Sequence, residues 1–189
     1  MSQVDMVSLC EYAKQFAGLD DAQLQILHKI YPQISPRLSE VTDAFYAHLA
    51  QIPKTHTYLE GRTETLKATH LEWLHELFNS QFDVTYTQKL YNVGHVHVKV
   101  NLPVEFMAGS ITFMHKELTQ IISEVFVNDP SMVIKSIHAI SGVLGFSLFV
   151  MQESFQSSTL AEELNKFLSI TGMSRALFDN LTRSYRNTS

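Results

Sequence analysis

Two long stretches in the C-terminal half repeat apolar residues at steps of three and four, and this restricts the fold more than anything else in the chain. From Val104 to Val127, Met107, Ile111, Met114, Leu118, Ile121 and Val125 follow at 4, 3, 4, 3 and 4. From Pro130 to about Phe155, Ile137, Ile140, Leu144, Leu148, Met151 and Phe155 follow at 3, 4, 4, 3 and 4. Such steps keep side chains on one stripe of an α-helix, and the alternation of a strand cannot produce them. With 7 Gly and 5 Pro in 189 residues, the expected class is all-α. Gly142 and Gly145 sit inside the second stretch, at a cost of about 1 kcal/mol each relative to Ala. They fit either close approach of another helix, in this chain or a second copy, or ordinary tolerance in a strong helix.

Earlier segments follow the same pattern. Asp20-Asp21 is placed to cap a helix from Ala22 to about Ile34. Ser35-Pro36 opens the next, with Leu38, Val41, Phe45, Leu49 and Ile52 on one stripe before Pro53. A short connector leads to a helix from Arg62 to about Asn79 that presents Leu66, Thr69, Trp73 and Leu77. Asp83 begins a helix that ends before Pro103. After Ser157-Ser158 the pattern weakens into one more helix around Leu160 to Leu168 and another from Arg175 to Tyr185. Asn187 to Ser189 should fray.

Composition excludes several functions. A net charge of −5 gives no basic patch for nucleic acid. The single cysteine, Cys10, forbids an internal disulfide and suits a reducing cytoplasm. Met1 to Gln15 lacks the basic and apolar regions of a signal peptide. The longest apolar stretch, Ile137 to Met151, is shorter than the roughly 20 residues of a membrane span, so it is expected to be a buried helix, with no membrane partner. No P-loop, glycine-rich nucleotide motif or Gly-x-Ser-x-Gly elbow occurs, and Cys10 has no local histidine. Nothing here supports an enzyme.

Nine histidines raise the question of metal binding. His95 and His97 point about 200° apart on a helix with 3.6 residues per turn, so only one faces inward. His97 shares its face with Leu90, Val93 and Val100, and His95 shares its face with Tyr91, Lys99 and Leu102. Periodicity favours His97 as the inward ring, although a buried histidine satisfied by hydrogen bonds fits the same pattern. Glu72 and His75 match one half of a helical di-iron motif, but no second copy exists. His28, His48, His56, His70, His115 and His138 show no paired spacing and are expected at the surface or in packing.

The run Val93-Gly94-His95-Val96-His97-Val98-Lys99-Val100-Asn101-Leu102-Pro103 resembles the proximal-histidine segment of the globin-coupled sensors, Gly-x-x-His followed by Leu-Pro. Two more matches lie upstream in the family's order: Asp43-Ala44-Phe45-Tyr46, and Leu66-Lys67-Ala68-Thr69 followed by Trp73. The resemblance spans roughly Val7 to Phe155. It implies a globin-like sensor fold with an extra N-terminal helix and two long C-terminal helices. It further implies a sensor domain over 1–157, and a helical tail or linker to a missing output domain over 158–189.

By this similarity the chain holds haem b, with His97 as the iron ligand. Tyr46 is the distal hydrogen-bond donor and Leu66 a gate, and Phe45, Thr69, Trp73, Val93, Val100 and Met107 line the pocket. Some relatives carry a tyrosine where this chain has Met107, which removes any relay through such a hydroxyl. The implied function is oxygen sensing, with carbon monoxide and nitric oxide as further ligands. The signal would pass through a homodimer of the last two long helices to an output domain or partner protein. The competing readings are a single-domain globin for oxygen storage or nitric oxide detoxification, and a cofactor-free helical dimerisation module.

Overall fold

The computed structural model describes residues 4–186, and among these every regular element is helical. The α-helices are α1 Met6–Ala17, α2 Asp21–Ile34, α3 Leu38–Leu49, α4 His56–Leu59, α5 Thr63–Asn79, α6 Val84–Lys99, α7 Val104–Val125, α8 Pro130–Thr171 and α9 Arg175–Arg186. The expected additional helix in front and the two long helices towards the end are both present.

Local chemistry sets the boundaries. Asp5, Asp20, Asp83 and Asp129 each precede a helix, and their carboxylates accept from the N–H groups of Val7 and Ser8, Gln23, Tyr86 and Met132 respectively. Each such cap is worth about 1 kcal/mol. Gly18 ends α1 at φ +63°, a left-handed turn that glycine takes at little cost. Ser35–Arg37 forms a 3₁₀ turn, so α3 starts at Leu38 rather than at Ser35-Pro36. The connector before α5 is itself coiled, with a 3₁₀ turn at Pro53–Thr55 running into α4. α6 stops at Lys99 because Asn101 turns to φ +52°.

The main departure from the sequence expectation lies in α8. It does not end near Phe155 but continues for 42 residues to Thr171, where Gly172 closes it at φ +67°. Of the pair Ser157-Ser158 at which the pattern weakens, Ser158 touches α6, as does Ser154 one turn earlier. The Ser154 hydroxyl donates to the Tyr91 carbonyl at 2.5 Å, and Ser158 Oγ lies 3.0 Å from His95 Nδ1. Residues 187–189, expected to fray, lie outside the described residues.

α8 is the element on which the others assemble, since α1, α2, α6 and α7 all pack on it. Met107, Met114, Leu118 and Ile121 from α7 and Ile140, Leu144 and Met151 from α8 are buried. Full burial of such a side chain contributes about 1.5–3 kcal/mol. By length and composition alone α8 is apolar enough to cross a membrane, yet half of its most apolar window is buried inside the fold.

Two glycines mark how closely its neighbours come. A Cβ on Gly142 would meet Gln23 Oε1 at 3.0 Å and Leu19 Cδ1 at 3.4 Å. The approach that Gly142 permits is therefore made by the α1–α2 turn of the same chain. At Gly94 of α6 the crossing is tighter, for a Cβ there would collide with the Met151 carbonyl and lie 2.7 Å from Ser154 Cβ. Gly94→Ala should therefore cost about 1–3 kcal/mol through overpacking, read as a lower urea midpoint. Gly109→Ala, with nothing within 4 Å, is the control. An unchanged midpoint in Gly94→Ala would show that α6 and α8 do not need this approach.

Candidate functional site

α5 packs on α2 and α3, and α6 packs on α8 and α1, while α5 and α6 share no extensive contact with each other. Buried Leu90, Gly94 and Val98 fix the rotation of α6. His95 is then exposed, tied to Ser158, and His97 is the ring that turns inward. Its Nδ1 is buried without a hydrogen-bond partner among the described residues.

Across from it, α3 supplies Phe45 and Tyr46, both almost fully buried. Lys67 and Asp43 pair at 2.7 Å and hold α5 against α3. His70 of α5 completes the group. Its ring centroid lies 5.8 Å from that of Phe45 and 5.6 Å from that of Tyr46, and the Tyr46 hydroxyl hydrogen-bonds to its Nδ1.

The residues read from the sequence divide into three sets. Phe45 and Tyr46 meet directly, on His70. Leu66, Trp73, Val93 and Met107 belong to the adjoining core, Met107 fully buried and the others half-buried against it. Thr69 and Val100 lie outside the group. Thr69 is exposed and its hydroxyl donates to the Thr65 carbonyl at 3.0 Å, while Val100 is 41 % exposed where the chain leaves α6. His70, expected at the surface or in packing, takes the inward place expected of Thr69. The signal for it was present: Leu66, His70, Trp73 and Leu77 step by 4, 3 and 4, which puts His70 on the stripe of the other site residues.

The electrostatics follow from burial. Desolvation, with a smaller repulsion from His97, pulls the His70 imidazole down to about 4, against a slight opposing pull from the Leu66 carbonyl. Burial lowers His97 as well and raises the Tyr46 phenol. At neutral pH the site therefore presents two neutral imidazoles and a protonated hydroxyl. No group of three or more His, Cys, Asp or Glu able to hold a bare metal ion gathers among the described residues. The donor set suits a cofactor that brings most of its own ligands and asks the protein for one imidazole.

In the unfolded chain His70 titrates near 6.5, and in the fold near 4. Between these values the unfolded state binds more protons, so stability is complete above pH 6.5 and falls as pH drops towards 4. Urea midpoints of the cofactor-free chain should fall across that window, and His70→Leu should flatten the dependence. An identical slope in the variant would contradict the buried neutral state of His70.

The protoglobin family profile matches residues 7–161. The fold also superimposes on the globin domain of the Geobacter sulfurreducens globin-coupled sensor, with 26 % identity, a TM-score of 0.71, and coverage of 77 % of this chain and 96 % of that one. The globin domain of the E. coli DosC in its ferric form I is similar in fold, at 18 % identity, a TM-score of 0.63, and coverage of 77 % and 99 %. The extent of the family match, over a helical scaffold with an inward histidine on α6, establishes that this chain belongs to the protoglobin family.

Proposed function

We propose that this protoglobin is a haem-based oxygen-sensing domain in which His97 holds the iron. The carrying observation is that His97 is inward and neutral with a buried, unpartnered Nδ1, and influences the imidazole of His70, which the buried Tyr46 of a separate helix engages. A globin fold implies a haem, and the residues present fit one. Phe45, Leu66, Val93 and Met107 offer apolar surface to a flat macrocycle, and His97 offers the single imidazole it requires. Haem b, held without covalent attachment, is the form we assign.

When bound in the ferrous state, haem supplies a coordination position open to oxygen, carbon monoxide or nitric oxide. The chain's own residues do the rest. Burial keeps the His97 lone pair free of protons. Tyr46, held protonated by its apolar surroundings, donates to a diatomic ligand that carries negative charge. That favours oxygen over carbon monoxide by about 1.5–3 kcal/mol. Leu66, on the same face of α5 as His70, excludes water from the ligand's side. The roles of Trp73 and Met107 are those of pocket wall.

Residues 1–157 form the sensor and 158–189 the connection to an output domain or partner protein; the family match ending at residue 161 supports this division. α8 passes through the boundary unbroken, so the connection begins as a rigid helix. Leu160, Phe167 and Ile170 of its extension are exposed, which supports pairing with a second copy along α8. The part is sensory rather than catalytic, and the single cysteine, Cys10, suits a reducing cytoplasm.

The purified protein should show a haem spectrum that changes on gas binding, and His97→Ala should abolish it. A colourless chain that takes up no added haem would sink the reading and leave a helical interaction module. Tyr46→Phe should speed oxygen dissociation by roughly ten- to a hundredfold, measured by stopped-flow. An unchanged rate would remove Tyr46 from the ligand's side.

A further inference from the structure

Resting on that reading of the site, we propose that Tyr58 is a positioning residue for His97, acting through the peptide group between Asn101 and Leu102. That one group is held from both sides. Its N–H donates to the His97 carbonyl at 2.9 Å, and its C=O accepts from the Tyr58 hydroxyl at 2.8 Å. A peptide unit is planar and turns as a rigid plate, so what fixes one end fixes the other. Asn101 also carries the backbone at φ +52°, a left-handed conformation that asparagine visits more readily than most residues but that is still uncommon. Such a residue persists where its surroundings over-determine it. Here the surroundings are the Tyr58 hydroxyl on one side and the last turn of α6 on the other, where the Asn101 N–H donates to the Val98 carbonyl at 2.9 Å.

The place of Tyr58 in the chain gives this contact its meaning. It lies on α4, in the connector between α3, which carries Tyr46, and α5, which carries His70. That connector is anchored to the end of α3, since the Thr55 hydroxyl approaches the Leu49 and Ile52 carbonyls at 2.5 and 2.7 Å. The Tyr58 ring stands edge-on to Phe106 in the first turn of α7, with centroids 5.7 Å apart, and this contact steadies the hydroxyl. α5 and α6 share no extensive contact. Glu76 and Lys89 tie the end of α5 to the start of α6, and Tyr58 ties the connector before α5 to the corner after α6. The wall that bears Tyr46 and the wall that bears His97 are thus joined at both ends. A shift of the His97 backbone either carries α4 with it or breaks the Tyr58 bond. In the same way the hydroxyl limits the tilt that His97 takes up towards the iron, as support behind a ligand side chain does.

The test compares wild type with Tyr58→Phe, which keeps the ring on Phe106 and removes only the hydroxyl. Tyr12→Phe, at an exposed position on α1, is the control, and far-UV circular dichroism confirms helix content. In the cofactor-free full chain, amide hydrogen exchange at Leu102 is followed by NMR. In the haem-loaded chain, resonance Raman gives the iron–histidine stretching band, and an excess of an acceptor apoglobin gives the rate of haem loss. Tyr58→Phe should speed exchange at Leu102 by about three- to tenfold and haem loss by a similar factor. It should also shift and broaden the iron–histidine band, while Tyr12→Phe matches wild type throughout. An unchanged band together with unchanged haem loss in Tyr58→Phe would overturn the inference, whatever happens at Leu102, and leave His97 as the ligand. A wild-type chain that takes up no haem overturns the reading of the site and this inference with it.

Discussion

The approach of α6 to α8 at Gly94 is the constraint on which the remaining geometry depends. No side chain fits between the Gly94 backbone and the Met151 carbonyl, and Ser154 closes the crossing with a hydrogen bond to Tyr91. With α6 pinned in that rotation, Leu90 and Val98 face the core, His95 reaches the surface, and His97 is turned inward. The candidate site is thus a consequence of helix packing, and its central residue is positioned three residues from the tightest contact in that packing.

The site itself is defined by what it lacks. Two imidazoles and a phenol are buried together without a carboxylate or lysine among them, which leaves each in its neutral form. Burying polar groups costs free energy unless they are partnered, and Tyr46 and His70 meet part of that need for each other. The remaining unpartnered nitrogen of His97 is the kind of exception that points to a missing partner rather than to a packing error.

Much of this was legible in the sequence, for identifiable reasons. The α7 and α8 stripes are pure periodicity, and the Asp caps and Gly18 act within a few residues of themselves. The inward choice of His97 over His95 followed from counting apolar neighbours along one helix. What could not be read depended on partners distant in sequence. Ser157-Ser158 looks like the end of a helix until α6 is laid against Ser158. Thr69 and His70 are adjacent on α5, and either fits a helical spacing from Leu66. Only the position of Tyr46 on α3 selects His70. A search by local spacing misses that His70 and His97, 27 residues apart, share one site, because their relation is made by the fold.

The unbroken course of α8 has a mechanical meaning. At about 1.5 Å per residue, its 42 residues make a rod of about 63 Å, and no glycine or proline follows Gly145 until Gly172. The crossing at Ser154 acts as its fulcrum, with Thr171 about 25 Å beyond. Each degree of tilt at the fulcrum carries the far end through about 0.4 Å, given that rise per residue. A displacement too small to register beside His97 arrives at the end of the rod enlarged, with no hinge along the way to absorb it.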